Sequence, residues 1–379
     1  MDSDWANLPE ELLDSILRLV LQSDYTQSDY IQFSRVCMSW YCVAKDIKRH
    51  PSPMVLIHTA KKDIWNLYNV MFGNVLDLQF KLPKKRFCGY AKGWLIGMNF
   101  NLVVTLINLS FMVKGRKKRK ESFINLPPLD KGDLHHEKTI VEFVVKATIS
   151  ADPILDANNC VVVVIYEGSC KLAFIRLNKD TTWTYVDPRL EYIGQSLDMV
   201  EDVVHVKEKF YAVKGGGQLF SFDIITQSKQ LVAEGMQNDD MEEKVYLVVL
   251  NDKELWMVRR YVDFGDEDRV TKKVRIYELD FDKHECVEKE TLGDVALFLG
   301  DNFSISVLAS NFLGCRPNCI YFNHDHDRYC GYLRGCLHHD FGVYDVKSQS
   351  FSQSYAPNIT ALMKTTKKPP YWVVPTFQL

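Results

Sequence analysis

Short apolar runs separated by polar turns fill the sequence from Met54 onward, and this pattern most constrains the fold. The runs are rich in β-branched and aromatic residues, which favour strands. No gap between them carries a convincing long amphipathic helix, so alternating β and α units are not expected. The pattern therefore predicts an all-β domain of antiparallel hairpins. The clearest runs are 103–109, 161–166, 172–177, 210–213, 219–224, 245–250, 255–258, 274–279 and 341–346.

A loose repeat runs through this region. Four segments share the order strand, polar turn, strand: KLAFIRLNKDTTWTYVD, GQLFSFDIITQSKQLV, KVRIYELDFDKHECVE and DFGVYDVKSQSFSQSY. A four-stranded propeller blade takes roughly 40–50 residues before loop insertions. Residues 54–379 therefore predict a propeller-like domain of five to seven blades, each a four-stranded antiparallel sheet. A pair of β-sandwiches is the alternative, because the repeat lacks a sharp blade signature. The corresponding positions used to align the repeats, here called the repeat anchors, are Leu109, Leu177, Asp223, Asp280 and Asp345.

The first fifty residues have a different sequence pattern from the rest of the chain. They contain no glycine, and their apolar residues follow a helical period. Pro9 suits the first turn of a helix, where its missing N–H costs nothing. We therefore predict a small helical domain over residues 1–50, which makes the whole chain an α+β multidomain protein. So small a unit is marginal alone, and its apolar faces need a partner. The two apolar stripes are Leu8, Leu12, Leu13, Ile16, Leu17 and Val20, then Phe33, Val36, Cys37, Trp40 and Val43.

Charge and cysteine content restrict the binding partners and the cellular compartment that we expect for this protein. The chain has 46 Lys+Arg and 49 Asp+Glu, a net charge of −3. This balance argues against broad binding to nucleic acid or to anionic membranes. The N-terminus is acidic and lacks a signal peptide, and no apolar run is long enough to span a bilayer. We therefore expect an intracellular protein, in the cytoplasm, the nucleus or both, whose ten scattered cysteines are reduced.

The N-terminal string WANLPEELLDSILRLV…YIQFSRVCMSWYCVA resembles the F-box. That module docks a protein onto the Skp adaptor of the SCF (Skp–cullin–F-box) ubiquitin ligases. The polar stretch from residue 22 to 29 makes a longer loop than the shortest F-boxes have, and Tyr41 stands where many members carry a basic residue. The resemblance implies a helical core of Leu13, Leu17 and Trp40. It implies that the adaptor contacts Leu8, Pro9, Leu12, Ile16, Val36 and Cys37.

Residues 54–379 resemble the kelch-like β-propeller of plant F-box proteins. The similarity rests on the order of several segments: GWLIGM, TLINL, INLPPL, EDVVHVKEKFYAV, GQLFSFDI, NCIYF, GVYDV and PPYWVVP. It implies a non-catalytic substrate-recognition subunit of an SCF ligase, with no cofactor. The implied partners are a Skp-type adaptor, a cullin reached through it, and an unknown substrate protein. A regulator or scaffold that does not promote degradation is one alternative, and an enzyme built on the propeller is another.

Three further motifs have competing interpretations. The run KGRKKRK holds six positive charges. It is a solvated hairpin loop, a nucleic-acid contact, or a nuclear import signal formed by Arg116, Lys117, Lys118, Arg119 and Lys120. The cluster KGGGQ at 214–218 predicts a hairpin turn, because a phosphate-binding loop would need a following helix. A cysteine- and histidine-rich segment fits no paired zinc spacing, so we predict no metal site. Its members are Cys315, Cys319, His324, His326, Cys330, Cys336, His338 and His339.

Overall fold

Six small β-sheets follow one another along the chain. They belong to a computed structural model, which describes most of the chain from residue 53 and part of the N-terminal region. The strands are numbered β1 to β25 in chain order, and each sheet forms one blade. The described residues are 5, 8–22, 33, 36–37, 39–40, 43, 53–59, 63–71, 75–112, 122–130, 144–166, 171–186, 199–235, 242–264, 269–312, 314–323, 340–352, 355–366 and 368–374.

The first three blades come from the first half of the chain, apart from one strand. Blade 1 contains β1 (Met54–His58), β2 (Ile64–Tyr68), β3 (Val75–Lys81) and the last described strand, β25 (Tyr371–Val373). Blade 2 contains β4 (Arg86–Ala91), β5 (Trp94–Met98), β6 (Val103–Asn108) and β7 (Phe123–Pro128). Blade 3 contains β8 (Val144–Ile149), β9 (Val161–Tyr166), β10 (Lys171–Arg176) and β11 (Thr184–Val186).

The other three blades follow in sequence. Blade 4 contains β12 (Val200–Val206), β13 (Lys209–Lys214), β14 (Leu219–Phe222) and β15 (Lys229–Ala233). Blade 5 contains β16 (Glu242–Leu250), β17 (Glu254–Phe264), β18 (Arg269–Asp280) and β19 (Glu285–Glu288). Blade 6 contains β20 (Val295–Leu299), β21 (Ile305–Leu308), β22 (Cys319–Phe322), β23 (Gly342–Asp345) and β24 (Ser350–Ser352).

The blades are arranged radially around one axis. Each blade has one innermost strand. In order around the axis, the innermost strands are β25, β4, β8, β12, β16 and β21, and each strand in this series contacts the next one. A ring of innermost strands surrounded by radial sheets is a β-propeller. The prediction of five to seven blades is confirmed with six, and the β-sandwich alternative is wrong.

Hydrophobic clusters fill the gaps between neighbouring blades. Successive side chains of a strand point to opposite faces of the sheet. Val162 and Val164 therefore pack toward blade 2, whereas Val163 and Ile165 pack toward blade 4. Since both faces of each blade are covered, the strands appear in the sequence as continuous apolar runs instead of alternating ones. All nine runs singled out from the sequence contain strands of the propeller.

The three aspartates among the repeat anchors have a structural role. In the turns before the outermost strands of blades 4, 5 and 6, Asp223, Asp280 and Asp345 each accept hydrogen bonds from two backbone N–H groups, at 2.8 to 3.1 Å. These bonds lower the pKa of all three carboxyls below the usual value, because they stabilise the charged form. The four predicted hairpins are confirmed as the pairs β10–β11, β14–β15, β18–β19 and β23–β24.

Blade 6 departs from the predicted four-stranded antiparallel sheet. It has five strands, and β20 pairs in parallel with β22. Strand β21 lies on the inner side of β20, and β22 lies on its outer side. The other five blades have four strands each, and their described pairings are antiparallel.

Two α-helices are described, α1 (Glu10–Gln22) and α2 (Pro357–Thr365). Helix α2 is only nine residues long and was not predicted from the sequence. It packs Ile359 and Met363, one helical turn apart, onto the cluster between blades 6 and 1. In the part of the chain that the structure describes, no helix has the length and apolar content needed to cross a membrane.

Gly89 lies at a close approach between the backbones of blades 2 and 3. A Cβ at this position would lie 2.1 Å from the carbonyl oxygen of Ala147. We predict that Gly89→Ala lowers the free energy of unfolding by about 1–3 kcal/mol, because two backbones must separate to admit the methyl group. Gly215→Ala is the matched control, since a Cβ there meets nothing within 4 Å. Urea unfolding followed by tryptophan fluorescence measures both, and equal midpoints would contradict the prediction.

Candidate functional site

Helix α1 begins where the sequence places Pro9. The backbone N–H groups of Leu12 and Leu13 both donate to the Pro9 carbonyl at 3.1 Å. Glu10 and Glu11 occupy the first turn, where the helix dipole favours negative charge. The helix therefore has a well-defined start and carries its apolar residues at steps of three and four.

One side of α1 is buried in a cluster of its own. Leu13 and Leu17 are at most 1% exposed and pack with Phe33, Trp40 and Val43. The rings of Phe33 and Trp40 lie 4.4 Å apart, and the Trp40 indole Nε1 donates to the Trp5 carbonyl at 2.8 Å. The three residues expected to form a helical core, Leu13, Leu17 and Trp40, all lie here. We call these five buried residues the N-terminal cluster.

The opposite side of α1 is not covered by described residues. Leu12 is 51% exposed, and Val36, from the second helical stripe, is 52% exposed. Pro9 is also exposed, whereas Leu8, Ile16 and Cys37 are half-buried against the N-terminal cluster. The six residues expected to contact an adaptor therefore lie at the border of the cluster or outside it.

Leu19 was missed as a candidate contact. It is 65% exposed and lies seven residues after Leu12, which places both on one stripe of the helix. Leu19 follows Ile16 by three residues, so helical spacing would have added it to the apolar stripe that contains Leu12 and Ile16. We call Pro9, Leu12, Leu19 and Val36 the exposed apolar face.

Several sequence candidates fall outside the described residues. These include the basic run 114–120 and residues 324–339, which hold all the histidines of the cysteine- and histidine-rich segment. Cys319 is described and is buried in β22. No group of three or more His, Cys, Asp or Glu side chains within the described ranges is arranged to hold a metal ion.

Three buried thiols of the propeller, those of Cys88, Cys160 and Cys315, stay protonated at neutral pH. Burial raises the pKa of Cys88, Cys160 and Cys315 to about 12, because a thiolate loses its solvation there. A thiol in this state is a weak nucleophile.

The glycine cluster is a hairpin connection, as predicted. It links β13 to β14, and Gly216 and Gly217 have φ values of 78° and 82°. Backbone in this region is strained for other residues, which explains why the turn requires glycine. The segment that follows is strand β14, so a helix that could bind phosphate does not follow the glycines.

Leu12 and Leu13 form a matched pair for testing the two-sided N-terminal region. We predict that Leu13→Ala lowers the local stability of α1 by about 2–5 kcal/mol, because it opens a cavity in the N-terminal cluster. Leu12→Ala should change it by less than about 0.5 kcal/mol, since the side chain is exposed. Hydrogen exchange of the α1 amides in the full-length protein measures the difference. Equal effects of the two changes would show that the described burial is wrong.

Comparison with known proteins identifies relatives along nearly the whole chain. The Arabidopsis thaliana protein named "Putative F-box protein At5g55150" is 24% identical over 395 residues, covering 99% of this chain and 98% of the relative. The Arabidopsis F-box protein SKIP23 is 23% identical over 410 residues, covering 98% of this chain and 95% of the relative. The β-propeller domain of Cps50 (Swd1) from Myceliophteria thermophila, a solved structure, has a TM-score of 0.41 and 11% identity, covering 81% of this chain and 87% of that one.

The family model described as the KIB1-4 beta-propeller matches residues 67–345, which span blades 1 to 6. Together with the names of the Arabidopsis relatives, this match confirms the resemblance to plant F-box proteins that carry a propeller. The chain belongs to the KIB1-4 β-propeller family.

Proposed function

We propose that this chain is a substrate-recognition subunit of an SCF-type ubiquitin ligase. Its N-terminal region binds a Skp-type adaptor and, through it, a cullin, while the propeller binds a target protein. The chain performs no chemistry itself. It contributes proximity and orientation, which convert ubiquitin transfer into an effectively intramolecular step.

The two-sided N-terminal region is the observation that carries this proposal. Among the residues that the structure describes, its buried side forms a cluster drawn from positions 13–43, and the six clusters of the propeller contain none of the described residues of that region. Its other side displays the exposed apolar face. Large apolar side chains that meet a partner at the centre of an interface dominate binding energy. A helical unit of this kind suits a protein partner better than it suits solvent.

A target protein would bind on one face of the propeller. In an antiparallel blade, the turns between the first and second strands and between the third and fourth strands lie on the same face. Leu155 follows β8 in blade 3, and Ile225 follows β14 in blade 4, so both exposed side chains lie on this face of neighbouring blades. Asp152 and Asp223 fix the two turns by accepting backbone N–H groups. Rigid turns that display apolar side chains are suitable contacts for a partner.

Val36 and Val287 allow a matched test of adaptor binding. Both are about half exposed, at 52% and 48%, but Val287 lies on β19 at the edge of blade 5. We predict that wild-type protein and Val287→Glu retain a purified Skp adaptor in a pull-down. Val36→Glu, alone or with Leu12→Glu, should lose at least about tenfold in affinity, because a carboxylate would be desolvated in the interface. Equal retention of all variants would overturn the proposal.

Turnover distinguishes a ligase subunit from a regulator that does not promote degradation. A partner captured by the propeller should be degraded faster in cells that express wild-type protein than in cells that express Val36→Glu. Capture with unchanged turnover would support the regulator instead.

We propose that residues 116–120 act as a nuclear import signal. Five consecutive positive charges are typical of such signals, although they would also suit a solvated loop. A fluorescent reporter fused to residues 105–125 should accumulate in nuclei. The same fusion with Arg116, Lys117, Lys118, Arg119 and Lys120 changed to Ala should not. Equal, diffuse distribution of the two fusions would remove the proposal.

A further inference from the structure

A cavity of about 520 Å³ lies on the axis of the propeller. All six blades contribute to its walls, which include Tyr90, Ala147, Val203, Leu247, Ile305 and Val374. The volume falls within the ~300–1,000 Å³ range of sites for small molecules. The cavity belongs to the propeller alone, so binding of a ligand inside it is independent of the proposed ligase function.

Apolar groups make up much of the wall. The half-buried Val204 and Val249 are contributed by innermost strands, and the half-buried Phe303, Ile305 and Val307 are contributed by β21 and the segments beside it. These side chains offer a dry surface on several sides of the cavity. A bound molecule must therefore be largely apolar to gain from burial there.

The charged groups of the cavity compensate one another. Lys146 is 8% exposed, and its ammonium Nζ lies 2.7 Å from Oδ1 of Asp202, a fully buried side chain. Oδ2 of Asp202 accepts the Leu247 N–H at 2.9 Å. Lys92 and Asp252 form a second set of opposite charges among the lining residues. An added charge would have no compensating group here, and burying it would cost several kcal/mol.

His205, which also lines the cavity, adds no charge at neutral pH. Burial lowers its pKa below the usual value of 6.5, and Lys92 acts in the same direction, whereas the carboxylates of Glu208 and Asp252 act in the opposite one. The imidazole is therefore uncharged when the protein is at neutral pH.

Hydrogen-bond donors remain available in this apolar setting. The Lys146 ammonium carries three N–H groups, and Asp202 is its one partner among the described residues. An unmade hydrogen bond at a buried ammonium costs free energy, so a ligand oxygen that accepts from one of the remaining Lys146 N–H groups would be stabilised.

We propose that this cavity binds an uncharged, mostly apolar small molecule through a carbonyl or hydroxyl oxygen that accepts a hydrogen bond from Lys146. The apolar wall holds the body of the molecule, and the compensated ion pair of Lys146 and Asp202 supplies a strong donor without attracting an anion. Charge-assisted donors of this kind make stronger hydrogen bonds than neutral ones do.

Three fluorescent probes of similar size separate the chemistries. Nile red is uncharged and has a carbonyl oxygen, anilinonaphthalene sulfonate is an anion, and diphenylhexatriene is a hydrocarbon. Titration of the full-length protein should give one saturable Nile red site, with the anion bound at least about tenfold more weakly. Equal or tighter binding of the anion would overturn the proposal.

Tryptophan substitutions locate the site. Leu308→Trp and Thr148→Trp place a large ring among the lining residues and should reduce Nile red affinity by about tenfold or more. Val287→Trp is the control, because its side chain is exposed on the outer strand of blade 5. Thermal unfolding shows whether each variant is folded. Unchanged Nile red affinity in the folded variants at 308 and 148 would place the dye elsewhere and refute the proposal.

The double variant Lys146→Met with Asp202→Asn tests the donor. It removes both charges together, so that neither is left buried without its partner. Nile red affinity should fall by about tenfold, while that of diphenylhexatriene, which has no acceptor, should change by less than about twofold. Equal losses for the two probes would show a change of cavity shape instead, and no loss for either would exclude Lys146 as the anchor. Both results would refute the proposal.

Discussion

Pairing between the last described strand and the first holds the propeller closed. Strand β25 is antiparallel to β1, with Val55 opposite Trp372. The buried Trp372 donates its indole N–H to Leu299 of blade 6 at 2.9 Å, and its carbonyl accepts from the Asn302 amide at 3.0 Å. One residue of β25 therefore joins blade 1 to blade 6. Without this pairing, β1 would present an unpaired edge toward the axis.

Closure of the ring creates two environments in the propeller, one between neighbouring blades and one at the axis. Between blades, each strand is covered on two faces, and the packing there is apolar. At the axis, the innermost strands cannot interdigitate across the ring, and polar groups connect them instead. Asp202 of β12 contacts Lys146 of β8 and the backbone of β16, so a single carboxylate links blades 3, 4 and 5. The same geometry leaves the axial cavity, because six strands that surround one axis cannot fill it with side chains of this size.

Local features of the fold could be predicted from the sequence, whereas its long-range features could not. Apolar runs and polar turns mark strands and hairpins because each is specified within about twenty residues. The pairing of β25 with β1 joins residues that are more than 300 positions apart, and no periodicity indicates it. The inner position of β21 in blade 6 and the short helix α2 also depend on tertiary packing. The cavity was not predicted, because its lining comes from six separate blades and therefore from distant parts of the sequence.

The propeller and the N-terminal region bury their apolar side chains to different extents, and this difference explains where partners can bind. In the propeller, the faces of each sheet are already packed, so a partner can reach only turns, outer edges and the axial cavity. In the N-terminal region, one helix and a few residues from its neighbours bury a single side, and Leu12, Leu19 and Val36 stay exposed. The accessible surfaces of the propeller and the exposed side of the N-terminal region share no described residue. A change on one can therefore alter its own binding without disturbing the packing of the other, since distant sites without shared contacts behave additively.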